Sequence, residues 1–406
     1  MENNKILFIS PLQSRSGYGE HARELAEVLI NYDTDFYCTG WGSNSETPYL
    51  SDNPAIFKKV VNNIDKSKYD VCIQLGMPNE FKSIGKYNIG ITAGVETDVC
   101  PQSFIHGYNK MDLIIVPSSF TKNTITNSQY ILSDGNKLEC YTDIEVIPEY
   151  SSSEFFEPTL SSTKISDILD TIKEDFCFLF TGQWVSSSTD DGGRKNVSSL
   201  LKTFCSTFNK NENIALILKT NGPDFSISDQ IDITYRIEEI CNEYENPPSI
   251  YLVHGELSLQ EMSSLFNHTK VKCHISHTRG EGFGRPLLEA SFTGKPIIAP
   301  KWSGHLDFLN KKNSLLIPGK LNKVGVVNQY FCEDAMWFDV DESKSSEHMK
   351  EVYTNYEKYI TKAKKLQTQN VSSFSKETIN KLYKSILQKR IPPKITNVEF
   401  KLPSLS

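Results

Sequence analysis

Long apolar runs are missing from this 406-residue chain. None approaches the roughly 20 residues that a membrane helix needs, which excludes a helical bilayer span. The N-terminus, Met1-Glu-Asn-Asn-Lys5, passes within a few residues into Ile6-Leu-Phe-Ile9. That run is too short for the apolar part of a secretion signal and lacks a small-residue cleavage site, so a cytoplasmic location is expected. Closely paired cysteines are missing too. Cys38, Cys72, Cys100, Cys140, Cys177, Cys205, Cys241, Cys273 and Cys332 stand singly, with no CxxC and several inside strand-like runs. Reduced, buried thiols are the expectation, in keeping with an intracellular chain. The N-x-S/T sites at Asn196, Asn267 and Asn370 would then carry no glycan. No short-period repeat is present.

Positive charge is scarce in the first part of the chain. Residues 1–150 hold 12 Lys and Arg against 19 Asp and Glu, whereas the segment from Lys358 to Lys394 is strongly basic. An acidic first part is a poor surface for polyanions, which disfavours nucleic acid or an anionic membrane as its partner. The basic segment reads as a solvated helical face. The length exceeds one ordinary hydrophobic core, so two domains are expected.

What is present is an alternation of strand-like and helix-like segments. Strands are predicted at 5–10, 35–39, 71–75, 88–92, 113–116 and 144–147, with a Gly-containing loop at Ser14–His21 and a helix at 22–29. A Ser, Glu and Pro-rich connection, Glu149 to Ser162, follows. The second set has strands at 176–181, 215–219, 250–252, 271–275 and 296–299. Its helices are predicted at 197–208, 234–243, 259–266 and 286–292. This pattern predicts an α/β protein with two Rossmann-like, doubly wound parallel sheets. The expected division is 1–160, 161–375 and a C-terminal helix and tail, 376–406, that packs back on the first domain.

The chemistry concentrates in His277-Thr-Arg-Gly-Glu-Gly-Phe-Gly-Arg-Pro-Leu-Leu-Glu-Ala290. The segment follows a strand, its glycines permit close backbone approach, and Pro286 suits the start of a helix. The N–H groups and dipole of such a helix end favour a phosphate. Glu281 precedes the glycines and Glu289 lies about one turn into the helix, so the two can flank a bound diphosphate.

The E-x7-E spacing of Glu281 and Glu289 within EGFGRPLLEA resembles the signature of the family-4 glycosyltransferases of the GT-B fold. Residues 5–29, 91–125 (including Thr92-Ala-Gly-Val-Glu-Thr-Asp98 and Val116-Pro-Ser-Ser-Phe-Thr121), 146–156, 177–219 and 250–309 resemble that family in the same order. The resemblance implies a retaining, metal-independent transferase that uses a nucleotide-sugar donor and no further cofactor. UDP-sugar is the expected donor, with GDP- and ADP-sugars as alternatives. It implies Glu281 beside the transferred sugar, Glu289 on the ribose, and the backbone of Phe283, Gly284 and Leu287 against sugar and diphosphate. Lys195 resembles the family's phosphate-binding lysine. The family's arginine after the first glycine of this half is replaced by Gln183 in Thr181-Gly-Gln-Trp184, which leaves Arg194 to supply a second charge. Gly17 and Gly19 resemble the loop that closes on the donor phosphates. Where many members carry a histidine, this chain offers Glu96, Thr97 and Asp98, with His106 nearby, as sugar-side or acceptor-side candidates. The acceptor is a hydroxyl, with a glycan or small molecule favoured over nucleic acid.

Competing readings accompany these. A Gly-rich first loop can serve turn geometry alone. Trp302-Ser-Gly-His-Leu-Asp307 could line the cleft or cap the next helix. Asp33/Asp35 and Asp339/Asp341 imitate a metal-binding DxD in the wrong context, so no metal is expected. A sugar-nucleotide epimerase on the same fold, and a non-catalytic sugar-nucleotide binder, are the alternative functions.

Overall fold

Each half of the chain supplies six short runs rich in β-branched and aromatic residues, and each set pairs into one parallel sheet. The computed structural model describes residues 4–40, 47–158, 164–185, 193–325 and 328–394. In the first half β1 (Ile6–Ser10), β2 (Thr34–Cys38), β3 (Val71–Leu75), β4 (Tyr87–Ile91), β5 (Leu113–Val116) and β6 (Ile144–Val146) form a sheet ordered β2-β1-β3-β4-β5-β6. Helices α1 (Gly17–Leu29), α2 (Gln102–Tyr108) and α3 (Ser119–Asn127) connect them. In the second half β7 (Phe176–Thr181), β8 (Ile214–Lys219), β9 (Ser249–Val253), β10 (Val271–Ile275), β11 (Ile297–Pro300) and β12 (Leu315–Ile317) are ordered β9-β8-β7-β10-β11-β12. Their helices are α4 (Val197–Thr207), α5 (Ile227–Cys241), α6 (Leu259–Asn267) and α7 (Arg285–Phe292). Every pairing within both sheets is parallel. Helices cover both faces, which is why strands such as Val71–Leu75 and Ile214–Lys219 are buried at every position.

The strand order reverses between β7 and β10, the switch point beyond whose carboxyl strand ends such sheets bind their ligands. The loops leaving those two strands carry Lys195 and Glu281, so topology alone brings them together.

Four elements differ from expectation, the first being the edge strand β12, which was not among the predicted strands. Helix α1 begins at Gly17, not Ala22, with the Ser16 side chain accepting from the Gly19 N–H, so both glycines belong to a helical first turn. Helix α5 begins at Ile227 rather than Thr234, capped by Ser226 on the Asp229 N–H. Its first turns escape an apolar count because Ile227 and Ile231 face solvent, 78% and 65% exposed, while Ile233, Ile237 and Ile240 point inward. An antiparallel hairpin, β13 (Gly319–Lys323) with β14 (Met336–Val340), has no counterpart in the predicted strands. The expected connection is described only as far as residue 158, and its residues 159–162 lie outside the described chain.

After β14 come α8 (Glu342–Thr354), α9 (Tyr356–Ser373) and α10 (Lys376–Arg390). Helix α10 and the residues after it lie on the first half: Lys376 pairs with Glu27 at 2.6 Å, Arg390 with Asp143 at 2.7 Å, and Lys394 with Asp70 at 3.0 Å. Part of the basic segment therefore meets the acidic half of its own chain. The two crossings between the halves lie side by side, joined by a bridge between Ser151 and Ser375.

No described helix is long and apolar enough to cross a membrane.

Candidate active site

The site is built from two loops of the second half and closed by loops of the first. Lys195 and Arg194 precede α4, where Asn196 adopts the left-handed conformation at φ 51°. The Lys195 stem runs over Gly182, where a Cβ would come within 3.3 Å of its Cδ. Its Nζ lies 2.6 Å from Glu281 Oε1, and Arg194 Nη1 lies 3.1 Å from Glu281 Oε2. Arg194 also donates to the Gly280 carbonyl at 2.8 Å and faces Glu96 of the first half at 3.5 Å. It thus bridges carboxylates from both sides of the cleft.

Burial alone would raise the Glu281 carboxyl, but the Lys195 and Arg194 charges prevail and hold it at about 2. Burial lowers the Lys195 ammonium, Glu281 opposes that, and Arg194 adds to it. The backbone of Glu281 is fixed as firmly as its side chain. Its N–H donates to Ser303 Oγ at 3.0 Å, and its carbonyl accepts the Gly304 N–H at 2.9 Å. Ser303 holds φ 80°, ψ −168°, a region that costs a non-glycine residue roughly 1–3 kcal/mol. The grip on Glu281 accompanies that strain.

Helix α7 starts at Arg285 behind Gly284, whose φ of 98° suits glycine, so Pro286 stands second rather than first. Pro286 lacks an N–H and that of Leu287 is taken by the Gly284 carbonyl at 2.9 Å. The helix end therefore offers an anion fewer donors than the expected start at Pro286. A cavity of about 20 Å³ lies here, lined by Thr181, Lys195, Glu281, Gly284, Pro286 and Leu287 among others. That is room for a water molecule, not for a diphosphate.

Glu289 opens on a different space, a cavity of about 770 Å³ shared with Glu20, Glu24, Leu257, Met262 and Arg285. It makes no ion pair among the described residues. Burial pushes its carboxyl up to about 8, only partly offset by Arg285. Arg285 is already engaged across the domains, 2.5 Å from Glu24 and 2.7 Å from Glu149. Nothing in the sequence signalled this bridge, because its acidic partners lie more than 130 positions away.

The remaining sequence candidates divide. Phe283 packs its ring against Phe308 and Phe374, leaving only its backbone for a ligand. Gly17 has nothing within 4 Å of a notional Cβ, whereas one on Gly19 would strike the Ser14 carbonyl oxygen, so Gly19 serves the packing of its own loop. Thr97 turns inward, donating to the Val99 carbonyl at 2.7 Å. His106 is exposed in the last turn of α2 and takes no part in the hydrogen bonds or ion pairs around Glu281. The glycines of the central motif face the opposite domain: a Cβ at Gly280 would meet the Glu96 carbonyl oxygen at 2.3 Å, and one at Gly282 that of Ala93 at 2.7 Å. Gly282's own carbonyl accepts from Ser118 and Thr121 at 2.5 and 3.2 Å. His305 bonds the Pro300 carbonyl at 2.7 Å, and Asp307 accepts the Ser119 N–H of α3 at 2.7 Å. Asp307 therefore serves a helix of the other half, not the next one. Asp33 and Asp35 bind Lys5, Asp339 binds Arg279, and Asp341 caps α8.

Residues 190–324 match the family model "Glycosyl transferases group 1". This stretch, about a third of the chain, is similar to a glycosyltransferase group 1 domain. It contains Lys195, Arg194, Glu281 and Glu289 together. No curated protein matches the chain. Solved structures match it almost end to end. Alr3699/HepE from Anabaena, in complex with UDP-glucose, has TM-score 0.67 at 14% identity over 95% of this chain and 100% of that one. Sucrose-phosphate synthase from Thermosynechococcus elongatus has TM-score 0.66 at 13% identity over 95% and 98%. A glycosyltransferase from Rickettsia africae has TM-score 0.66 at 14% identity over 97% and 100%. The fold is GT-B, two parallel-sheet α/β domains, and the matched stretch spans most of the second sheet.

Proposed function

We propose that the protein is a retaining glycosyltransferase that moves a sugar from a UDP-sugar to a hydroxyl acceptor. The observation that carries this is the convergence of Lys195 and Arg194 on Glu281 beside the start of α7, with Glu289 one turn further on. Two cations next to a helix end are what a departing diphosphate requires. A fixed carboxylate between them is suited to orient the sugar's hydroxyls and to favour positive character at its anomeric carbon. Glu289, in the larger cavity with Leu257 and Met262, takes the ribose, and that cavity takes the base. Arg194 does the work that an arginine at Gln183 would do. The acceptor hydroxyl attacks from the face on which the diphosphate leaves, so no protein nucleophile and no metal is needed. Glu96, facing Arg194 from the first domain, lies on the acceptor side. A glycan or small hydroxyl compound suits that acidic domain.

The contracted space beside Pro286 means that donor entry requires the domains to part and Glu281 to yield its cations to the diphosphate. A screen of UDP-, GDP- and ADP-sugars by thermal shift and slow donor hydrolysis tests the reading, since a ligand that binds only the folded state raises its stability. UDP-sugars are expected to raise Tm and to hydrolyse slowly with retained configuration. No stabilisation by any of them would remove the assignment.

A further inference from the structure

Beneath the two loops lies a chain of side chains that the proposed transfer does not use, buried at Ser345 and His277 and reaching the surface at Glu342. His277, fully buried at the end of β10, opens the motif that leads to Glu281. Its Nδ1 lies 3.1 Å from Ser199 Oγ and its Nε2 lies 2.7 Å from Ser345 Oγ. Ser199 in turn donates to Glu342 Oε1 at 2.7 Å. These partners come from two elements: Ser199 stands on the first turn of α4, four residues after Lys195, while Glu342 and Ser345 lie on the first turns of α8.

The direction of every bond follows from the chemistry of the groups. An ionised carboxylate only accepts, so the Ser199 hydroxyl proton points to Glu342. Ser199 Oγ can then only accept from His277, which places the imidazole proton on Nδ1. Nε2 is left as an acceptor, and Ser345, wholly buried, donates to it. Burial keeps the ring neutral, with its pKa lowered to about 3. The chain runs one way, from Ser345 through His277 and Ser199 to Glu342.

We propose that His277, held in its Nδ1–H tautomer, is a positioning residue that sets the Lys195 loop against the Glu281 loop. Anchoring Ser199 fixes the first turn of α4, and with it the left-handed Asn196 that aims Lys195. Anchoring His277 fixes the start of the loop that delivers Glu281. A second tie runs parallel: the Arg279 N–H donates to the Arg194 carbonyl at 2.7 Å, and Arg279 is held by Asp339. The inference rests on the donor-binding reading above for its functional consequence, but its tautomer stands independently.

The test uses ¹⁵N-histidine-labelled full-length protein, with His277 assigned by the signal lost in His277→Asn. The wild type is expected to show the Nδ1–H tautomer unchanged from pH 5 to 8. In Ser199→Ala the acceptor for Nδ1–H is gone, Ser345 rotates to accept, and the signal should move to the Nε2–H form. UDP affinity, measured by calorimetry, should fall roughly fivefold, the scale of one lost hydrogen bond. Ser345→Ala should keep the Nδ1–H form. An Nε2–H tautomer in the wild type, or a Ser199→Ala protein with unchanged tautomer and UDP affinity, overturns the proposal. A lowered Tm with both readouts unmoved would assign the chain to stability alone and also overturn it. A wild type that binds none of UDP, GDP or ADP would overturn the glycosyltransferase reading and the positioning role that depends on it, with the tautomer result still deciding the hydrogen-bond chain.

Discussion

Glu281 and Glu289 lie eight positions apart, and their surroundings treat them oppositely. Glu281 sits between two cations in a space with room for a water; Glu289 faces a cavity of about 770 Å³ with its nearest arginine committed to Glu24 and Glu149. One is held as an anion and the other is pushed toward its neutral form. Burial acts on both in the same direction, so the difference lies in where the cations are spent: two on Glu281, and Arg285 on the joint between the domains. A site for a ligand with charge at one end and hydroxyl groups at the other needs such an asymmetry.

The comparison breaks most severely at Arg285. Arg285→Met should leave Glu24 and Glu149 buried without their arginine and destabilise the protein by about 3 kcal/mol, read as a lower denaturant midpoint. The acid limb comes next. The Glu281 carboxyl, held at about 2 against an ordinary 4.5, contributes stability that is complete above pH 4.5 and lost as pH falls toward 2, about 3 kcal/mol in all. Burial holds Glu24 at about 7 and Glu289 at about 8, so their contribution has the opposite sign: complete below pH 4.5 and lost as pH rises through 7 and 8. Glu289→Gln should flatten the alkaline side of a Tm profile and Glu281→Gln the acid side. An exchange of those two outcomes would reverse the comparison.

Smaller effects sharpen it. Lys195→Ala and Glu281→Gln should each cut turnover at least about tenfold, roughly 1.4 kcal/mol of transition-state stabilisation. Glu281→Gln should nevertheless bind UDP more tightly than the wild type, because the diphosphate no longer competes with a carboxylate for Lys195 and Arg194. Weaker UDP binding in that variant would show that Glu281 organises the cations instead of occupying them. Asp307→Ala, which removes the acceptor for the Ser119 N–H across the cleft, should cost about 1 kcal/mol of stability. A chelator should change turnover not at all; activity lost in chelator and restored by Mn²⁺ would overturn the metal-free reading.

Much of the architecture could be read from residues alone. The central strands of both sheets are buried on two faces and appear as short apolar runs, so the ends of the eleven predicted strands fell within one residue of the structure, whereas the three-residue edge strand β12 was too short to stand out. Glu281 and Glu289 stood out because glycines, a proline and a strand mark the turn that carries them, whereas Lys195 was singled out only by its resemblance to the family's lysine. What escaped has a physical reason in each case. Helix α5 starts with isoleucines that face solvent, so apolar spacing misplaced its first turns, although Ser226 and Asp229 were a legible cap. The glycines at 280 and 282 signal close approach, but sequence cannot say to what, and the answer is the backbone of the opposite domain. Arg285 looked like one more charge in the motif, because a partner across the fold leaves no local trace.

The paired crossings at Ser151 and Ser375 have a mechanical consequence. Two crossings set apart would join the domains at two places, whereas these two, tied by the Ser151 N–H to the Phe374 carbonyl at 3.2 Å, join them at one. Elsewhere the halves are held only by non-covalent contacts, such as Arg194 with Glu96 and Arg285 with Glu24, which can part without straining the chain.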